Sequence, residues 1–359
     1  MHVEGSIDAE SRHKQGNPIN RRKFLSYAAG TGAGLVALAA GGKHVAHMLA
    51  AAPSSEPRLP GLPNDRSRVV IARSSDLFAA NGSLQEAEVA ATLDAGMKTL
   101  FGVEDAMQAW RALFTPKDVV GIKVNCIAGP NLSTRPQVVA AIVSELQKVP
   151  ISAENIIIWD RTNRELAAVG YKINADGAGA KCYGTDALGY EEKAAVHRSF
   201  NGRLSKILTR EITALINVPI LKDHGGAGVS IAMKNHYGSF HNPGSHHAKG
   251  CDPSIADLNS LEDIKAKTKL VVCDATRAGC NGGPGYNPAF AWQYSGLLLS
   301  CDPVALDTIG IRIIDERRIE VGLRPLAEIG RYPRWLASAA DRGLGNADAN
   351  RIDAPTVNV

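Results

Sequence analysis

The chain has 359 residues and carries 40 Lys and Arg against 36 Asp and Glu, a net charge of +4. That length supports a sizeable buried core, as one large domain or two intimately joined lobes. The charge excess is mostly N-terminal: residues 53–359 hold 34 basic and 33 acidic side chains, a near-neutral body that lacks the cationic surplus of a nucleic-acid-binding domain.

The first segment in chain order reads as a targeting signal. Asn20-Arg21-Arg22-Lys23-Phe24-Leu25 precedes a weakly apolar, Ala- and Gly-rich run from Tyr27 to Gly42. Paired arginines, then Phe-Leu, then a mild apolar stretch resemble a twin-arginine (Tat) export signal. The run is too short and too glycine-rich for a good membrane span, which needs ~20 apolar residues. Residues 1–52 are therefore assigned as the signal. The assignment implies a periplasmic or extracytoplasmic destination, the Tat translocon as a transient partner, and membrane contact only through an uncleaved signal. Four prolines from Pro53 to Pro63 mark residues 53–66 as a linker, leaving 67–359 as the folded body.

Within the body, Arg68-Val-Val-Ile-Ala-Arg reads as a short strand. Ser83 to Phe114 has apolar residues at helical spacing, and Ser83 followed by Glu86 has the form of a capping box. Asp118-Val-Val-Gly-Ile-Lys-Val-Asn-Cys-Ile is a buried strand. Pro136 predicts a helix start, and Gln137 to Val149 continues that helix. Asn155-Ile-Ile-Ile-Trp-Asp is the next strand. Strand, helix and strand over about forty residues form a βαβ unit, with parallel strands and a right-handed crossover. Thr213 to Ile220 is a further strand, where Pro219 predicts an edge or a bulge. Lys269 to Asp274 and Gly296 to Asp302 are two more, and a helix follows from Pro303 with Asp302 as its cap. The fold class is α/β, a mostly parallel sheet with βαβ crossovers.

Five of these strands end in polar groups: Asn125; Asp160; Lys222, Asp223 and His224; Asp274; and Asp302. Open parallel sheets bind ligands beyond the carboxyl ends of their strands, so the groups are expected to share one rim. Taken singly, Asp274 and Asp302 read more readily as caps or turn residues.

The richest stretch runs from Asn217 to Gly250. Five of the ten histidines lie between His224 and His247. Histidine moves protons and binds metals near neutral pH. Gly225, Gly226 and Gly228 form a flexible turn leading towards Lys234-Asn235-His236. A glycine turn entering a helix offers free N–H groups to an anion, and Lys123, Lys222 and Lys234 add positive charge. His224 and Lys234 are the expected catalytic pair. Lys123, Asn125, Lys222 and Asn235 are expected to bind a small anionic substrate. His224, His236 and His241 are candidate ligands for a transition metal, although their spacing matches no standard zinc signature. Asn281-Gly-Gly-Pro-Gly-Tyr is either a flap over the same rim or a plain turn. The six cysteines form no C-x-x-C pair, so no iron–sulfur cluster is expected, and most should be buried and unpaired.

Several of these pieces, in order, resemble the family known as domain of unknown function 362. They are the Asp118-to-Asn125 strand, Asn217-Val-Pro-Ile-Leu-Lys-Asp-His, Gly-Val-Ser-Ile-Ala-Met-Lys-Asn-His-Tyr-Gly, Asp257-Leu258, and Ser300-Cys-Asp-Pro-Val-Ala-Leu-Asp307. Many relatives add a ferredoxin-like segment with two iron–sulfur clusters. This chain lacks its cysteine runs, so an electron-relay role is not carried over. A fainter similarity joins the His224-to-Lys234 stretch to lactate racemases with a nickel-pincer cofactor, over too few residues to carry the activity. The combined expectation is an exported redox or isomerase enzyme with a metal or bound organic cofactor. The alternative is a periplasmic binding protein for an anion or metal.

Overall fold

A computed structural model describes residues 65–359. The segment expected to be an export signal and most of the expected proline-rich linker lie outside the described residues. The strands of the main sheet are, in chain order, β1 (Val70–Arg73), β2 (Val120–Lys123), β3 (Ile156–Trp159), β4 (Lys181–Cys182), β5 (Ala214–Asn217), β6 (Ile220–His224), β7 (Gly228–Val229), β8 (Thr268–Gly279), β9 (Ala291–Ser300) and β10 (Thr356–Asn358). The helices that matter to the site and core are α1 (Glu86–Phe101), α2 (Ala106–Leu113), α3 (Pro136–Lys148), α4 (Ala232–Asn235), α5 (Pro303–Glu320) and α6 (Trp335–Asp341).

The spatial order is β10-β1-β9-β8-β5-β2-β3-β4, with β6 pairing onto β8 and β7 onto β6. From β8 to β4 every neighbouring pair is parallel. Only β9, against both β8 and β1, and the short β7 run antiparallel. The fold is therefore the expected α/β arrangement around a mostly parallel sheet.

Both faces of this sheet are covered, as a parallel sheet requires. Side chains alternate between the faces with period two. Val70, Ala72, Val120, Ile122, Ala214, Ile216, Leu297 and Leu299 pack under Leu93, Met97, Trp110 and Ile142 of α1, α2 and α3. Ile71, Leu215, Val271 and Leu298 point the other way, towards Met233, Ile309, Ile313 and Trp335 of α4, α5 and α6.

The structure corrects several details. The helix expected from Ser83 to Phe114 is two helices, because Gly102 takes a left-handed conformation (φ 65°) and ends α1. Asp105 then starts α2 by accepting from Met107 N. The N-cap of α1 is Gln85, without a side-chain cap, and the Ser83 hydroxyl bonds Asn81 instead. Pro136 begins α3 as expected. Pro219 falls at a break: β5 ends at Asn217, and β6 leaves its line to pair with β8. Cys126, Cys182, Cys251, Cys273 and Cys280 are buried thiols. Among the described residues, no helix is long and apolar enough to cross a membrane.

Candidate functional site

The parallel register places Lys123 of β2 level with Trp159 of β3 and Asn217 of β5. The polar residues at and just past this row therefore meet at one end of the sheet. Lys123 is fully buried. Its Nζ donates to Asp160 Oδ1 at 2.8 Å, to the Val124 carbonyl at 2.6 Å and to Asn235 Oδ1 at 3.5 Å. The other Asp160 oxygen accepts from Cys126 N at 2.7 Å. Gly238 must be glycine here, because a Cβ would sit 2.8 Å from both Lys123 Nζ and Asp160 Oδ1.

Asn235 is the hub of this network. Its amide donates to Asn217 Oδ1 at 2.7 Å, and its Oδ1 accepts from Asn125 Nδ2 at 3.0 Å. Asn125 Oδ1 in turn accepts from Lys222 Nζ at 2.9 Å. Lys222 is fully buried, and burial pulls its ammonium down to about 7 against the opposing pull of Asp160. One carboxylate thus serves two buried lysines, and the second lysine titrates near neutrality. The four residues expected to bind substrate are indeed together. However, Lys123, Asn125 and Asn235 spend their polar atoms on one another, so their immediate effect is to fix the strand ends.

The glycine turn after β6 does not present the free N–H groups expected of it. Gly226 N and Ala227 N donate to His224 Nδ1 at 3.1 and 3.0 Å. Gly225 N donates to the Gly283 carbonyl. At the start of α4, Ala232 N and Met233 N donate to the carboxylate of Asp307 on α5, at 2.7 and 3.0 Å. Burial pushes that carboxyl up to about 8 despite these two bonds. The backbone donors are thus satisfied internally, so any anion must be held by side chains.

These bonds also define His224. Two donors aimed at Nδ1 leave the ring proton on Nε2. Burial, followed by the charge of Lys234, lowers its pKa to about 3. His224 is therefore a neutral imidazole whose free atom is a donor. A metal at Nε2 would force the proton onto Nδ1, against two N–H groups.

Lys234 is the reactive-looking amine. It lies on α4, 5% exposed, with Nζ 3.2 Å from His247 Nε2 and 3.6 Å from the centroid of the Tyr237 ring. His247 Nδ1 faces the Pro243 carbonyl at 2.9 Å, so Nδ1 carries the proton and Nε2 accepts from the lysine. Burial lowers the Lys234 ammonium to about 8. The His247 ring stacks on His224, with centroids 5.6 Å apart and planes at 26°.

The other histidines disperse. His236 is buried, its Nδ1 lies 3.1 Å from Ser239 Oγ, and burial lowers its pKa to about 3. His241 is exposed against the edge of Tyr190, and His246 packs between Phe200 and Phe240. Among the described residues, no three His, Cys, Asp or Glu side chains are grouped so as to hold a metal. The triad His224, His236 and His241 does not fit one.

Of the five strand ends, Asp302 does not join the rim. β9 runs antiparallel, so Asp302 emerges at the opposite end of the sheet, where it caps α5 through Val304 N and Ala305 N. Asp274 is not a strand end, because β8 continues to Gly279, and its carboxylate receives Arg135 N at the start of α3 and the N–H and hydroxyl of Thr276. The Asn281-to-Tyr286 loop does close over the rim. Gly283 N donates to Asp223 Oδ1 at 2.8 Å, and a Cβ on Gly283 would lie 1.9 Å from the Asp223 carbonyl oxygen.

Beside the stacked histidines lies an open cleft of about 570 Å³. One wall is the Gly225–Ala227 turn and another is Lys249 and Gly250; the segment Gly330–Arg334 completes it. Sequence reasoning missed His247 as the partner of Lys234, and it missed the cleft's arginines. His247 was visible as a histidine but stood 13 residues from its lysine. Arg331 and Arg334 carried no local signal.

The fold and site define an α/β protein whose buried lysine and asparagine network, at the carboxyl ends of parallel strands, supports a histidine–lysine cluster. The chain belongs to the family of the domain of unknown function DUF362, whose model matches residues 120–312. No curated protein matches the chain.

Proposed function

We propose that this chain is an exported enzyme of isomerase type that moves a proton on a small anionic substrate, with Lys234 as the acid–base group. The observation that carries the reading is a nearly buried amine, 3.2 Å from His247 Nε2, whose ammonium is lowered to about 8. A group that titrates near the working pH is the effective proton carrier. In its neutral form Lys234 takes a proton from the carbon next to a carboxylate or carbonyl, and the resulting ammonium returns a proton to that carbon. No other reactant is consumed. His224 Nε2–H, held neutral, donates to the oxygen on which charge develops. The buried network of Lys123, Asp160, Asn125, Lys222 and Asn235 keeps α4 in register with the rim. Because the three predicted histidines do not converge, no step is routed through a metal. The twin-arginine-like segment supports export.

The test is exchange in deuterium oxide. The protein is incubated with a panel of 2-hydroxy, 2-oxo and 2-amino carboxylates, and deuterium at carbon 2 is read by NMR. The reading expects incorporation for at least one substrate class, reduced at least 100-fold in Lys234→Ala. Compounds that bind with no exchange in the wild-type protein would favour the alternative, a periplasmic anion-binding protein. The saturated buried network and the open cationic cleft support that second reading.

A further inference from the structure

The cleft next to the stacked histidines has a composition of its own. Lys249, Arg331 and Arg334 line it and no carboxylate does, and Arg331 Nη2 is bound to the buried Asp223 at 2.9 Å. Three cations against one carboxylate leave the cleft with an excess of two positive charges. Arg331 is not saturated by Asp223: its Nε is buried without an acceptor. Buried donors in native structures are almost always paired, so an orphan on a cleft-lining arginine calls for an explanation. Arg334 has a single, long bond to the Lys249 carbonyl, at 3.4 Å.

The walls are built to bring backbone close to this space. Lys249, Gly250 and Cys251 have consecutive positive φ values of 54°, 70° and 64°. A non-glycine residue in this region costs roughly 1–3 kcal/mol, and such strain clusters at ligand sites. Gly228 has φ 84°, and a Cβ there would lie 2.4 Å from the Arg331 carbonyl oxygen and 2.7 Å from Pro333 Cγ. The Trp335 indole N–H donates to the Ala227 carbonyl at 3.0 Å. The arginine segment is therefore locked against the glycine turn. Each inner wall starts next to a member of the stacked pair: Gly225 follows His224, and Lys249 stands two residues after His247.

We propose that this cleft is the binding site for the dianionic end of the ligand, a phosphate monoester or a second carboxylate, gripped by Lys249, Arg331 and Arg334. The site is about 570 Å³, within the range of small-molecule sites at roughly 300–1,000 Å³. Arginine suits it because its planar fork matches phosphate and carboxylate oxygens in pairs. The family match ends at residue 312, so Arg331 and Arg334 lie outside it. The anchoring wall thus belongs to the C-terminal part of this chain. The proposal names the substrate class for the Lys234 site and rests on that reading for the reacting end alone.

The experiment is isothermal calorimetry of the full chain with inorganic phosphate, malonate, acetate and chloride at matched ionic strength. Phosphate or malonate is expected to bind with one-to-one stoichiometry, and acetate and chloride at least tenfold more weakly. Preference for phosphate indicates a phosphate monoester as the natural group, and preference for malonate indicates a second carboxylate. Arg334→Ala, an exposed change that leaves Asp223 paired, should weaken the preferred dianion about tenfold, the loss of one charged contact. Lys234→Ala should leave dianion affinity within twofold, so failure of the proton-transfer reading and failure of this one are separable. Equal binding of acetate and the dianions, no heat with any of them, or an Arg334→Ala protein with unchanged affinity would overturn the proposal.

Discussion

Asp160→Asn tests the buried network in a way that can be worked through atom by atom. Lys123 and Asp160 are 0% and 5% exposed at their side chains and sit 2.8 Å apart. In Asp160 one oxygen accepts from Lys123 Nζ and the other from Cys126 N. Asparagine keeps one acceptor only, so in either orientation a buried donor loses its partner. Lys123, fully buried, also loses the carboxylate beside it. Breaking a buried pair by removing one member costs about 3–5 kcal/mol. With an m-value of about 3 kcal/mol/M in urea, the unfolding midpoint should fall by roughly 1–1.7 M. The double variant Lys123→Met, Asp160→Asn supplies the control. With the charge gone, the asparagine carbonyl can turn to Cys126 N, so the double change should cost at least about 2 kcal/mol less than the sum of the singles. Urea titrations of the four proteins, followed by tryptophan fluorescence, give the cycle directly; Trp159 lies over Lys123, its ring centroid 5.5 Å from Nζ. A single-variant loss below about 1 kcal/mol, or costs additive within about 0.5 kcal/mol, would refute the idea that this pair is a coupled, dry anchor.

Three further outcomes follow from the same geometry. Lys222 has a folded pKa of about 7 against an ordinary value of 10.5, so between these pH values the unfolded chain binds more protons and stability rises with pH. Wild type should therefore gain on Lys222→Met between pH 7 and 9 in chemical denaturation, and a difference independent of pH would count against the assignment. Gly228→Ala should cost at least about 2 kcal/mol, because its φ of 84° is strained for alanine and its Cβ meets the Arg331 carbonyl; a melting temperature within a degree of wild type would contradict that. Asp307→Asn should cost about 1–3 kcal/mol by leaving one α4 N–H without its acceptor, and it should lower proton exchange more than substrate affinity. Equal loss of both would point to collapse of the site as a whole.

The sequence was most legible where a single local rule decided the outcome. Pro136 set a helix start, and the apolar runs ending in Lys123, Trp159 and Asn217 set parallel strands whose ends align. Their register explains why Lys123, Asn125, Lys222 and Asn235, distant in sequence, are joined by hydrogen bonds. Legibility failed where the outcome depended on pairing partners. Nothing in Leu-Leu-Leu-Ser-Cys-Asp says that β9 runs antiparallel, yet that direction alone sends Asp302 to the far end. The glycine turn looked like an anion cradle because its N–H groups could be counted, whereas their acceptors could not. His224 Nδ1 takes those of Gly226 and Ala227 and the Gly283 carbonyl takes that of Gly225, while at the start of α4 the Asp307 carboxylate, 75 residues from Ala232, takes the first N–H groups. The histidine cluster similarly resolved into one partner for Lys234, one neutral donor and three packing residues. The deciding contacts were of two kinds: long-range ones, such as Asp307 with Ala232, and local ones, such as His224 with the N–H groups two and three residues on, that no residue pattern announces.

The central claim is that Lys234 is an amine poised to exchange protons near neutral pH, and it can be measured without knowing the substrate. Protein labelled with ¹³C at lysine Cε is titrated by NMR, with Lys234→Arg used to assign the resonance. The account predicts a midpoint near 8 that moves upward when His224, whose neutral ring stacks on His247, is changed to Glu. A Lys234 midpoint at the ordinary 10.5, unmoved by that change, would contradict it.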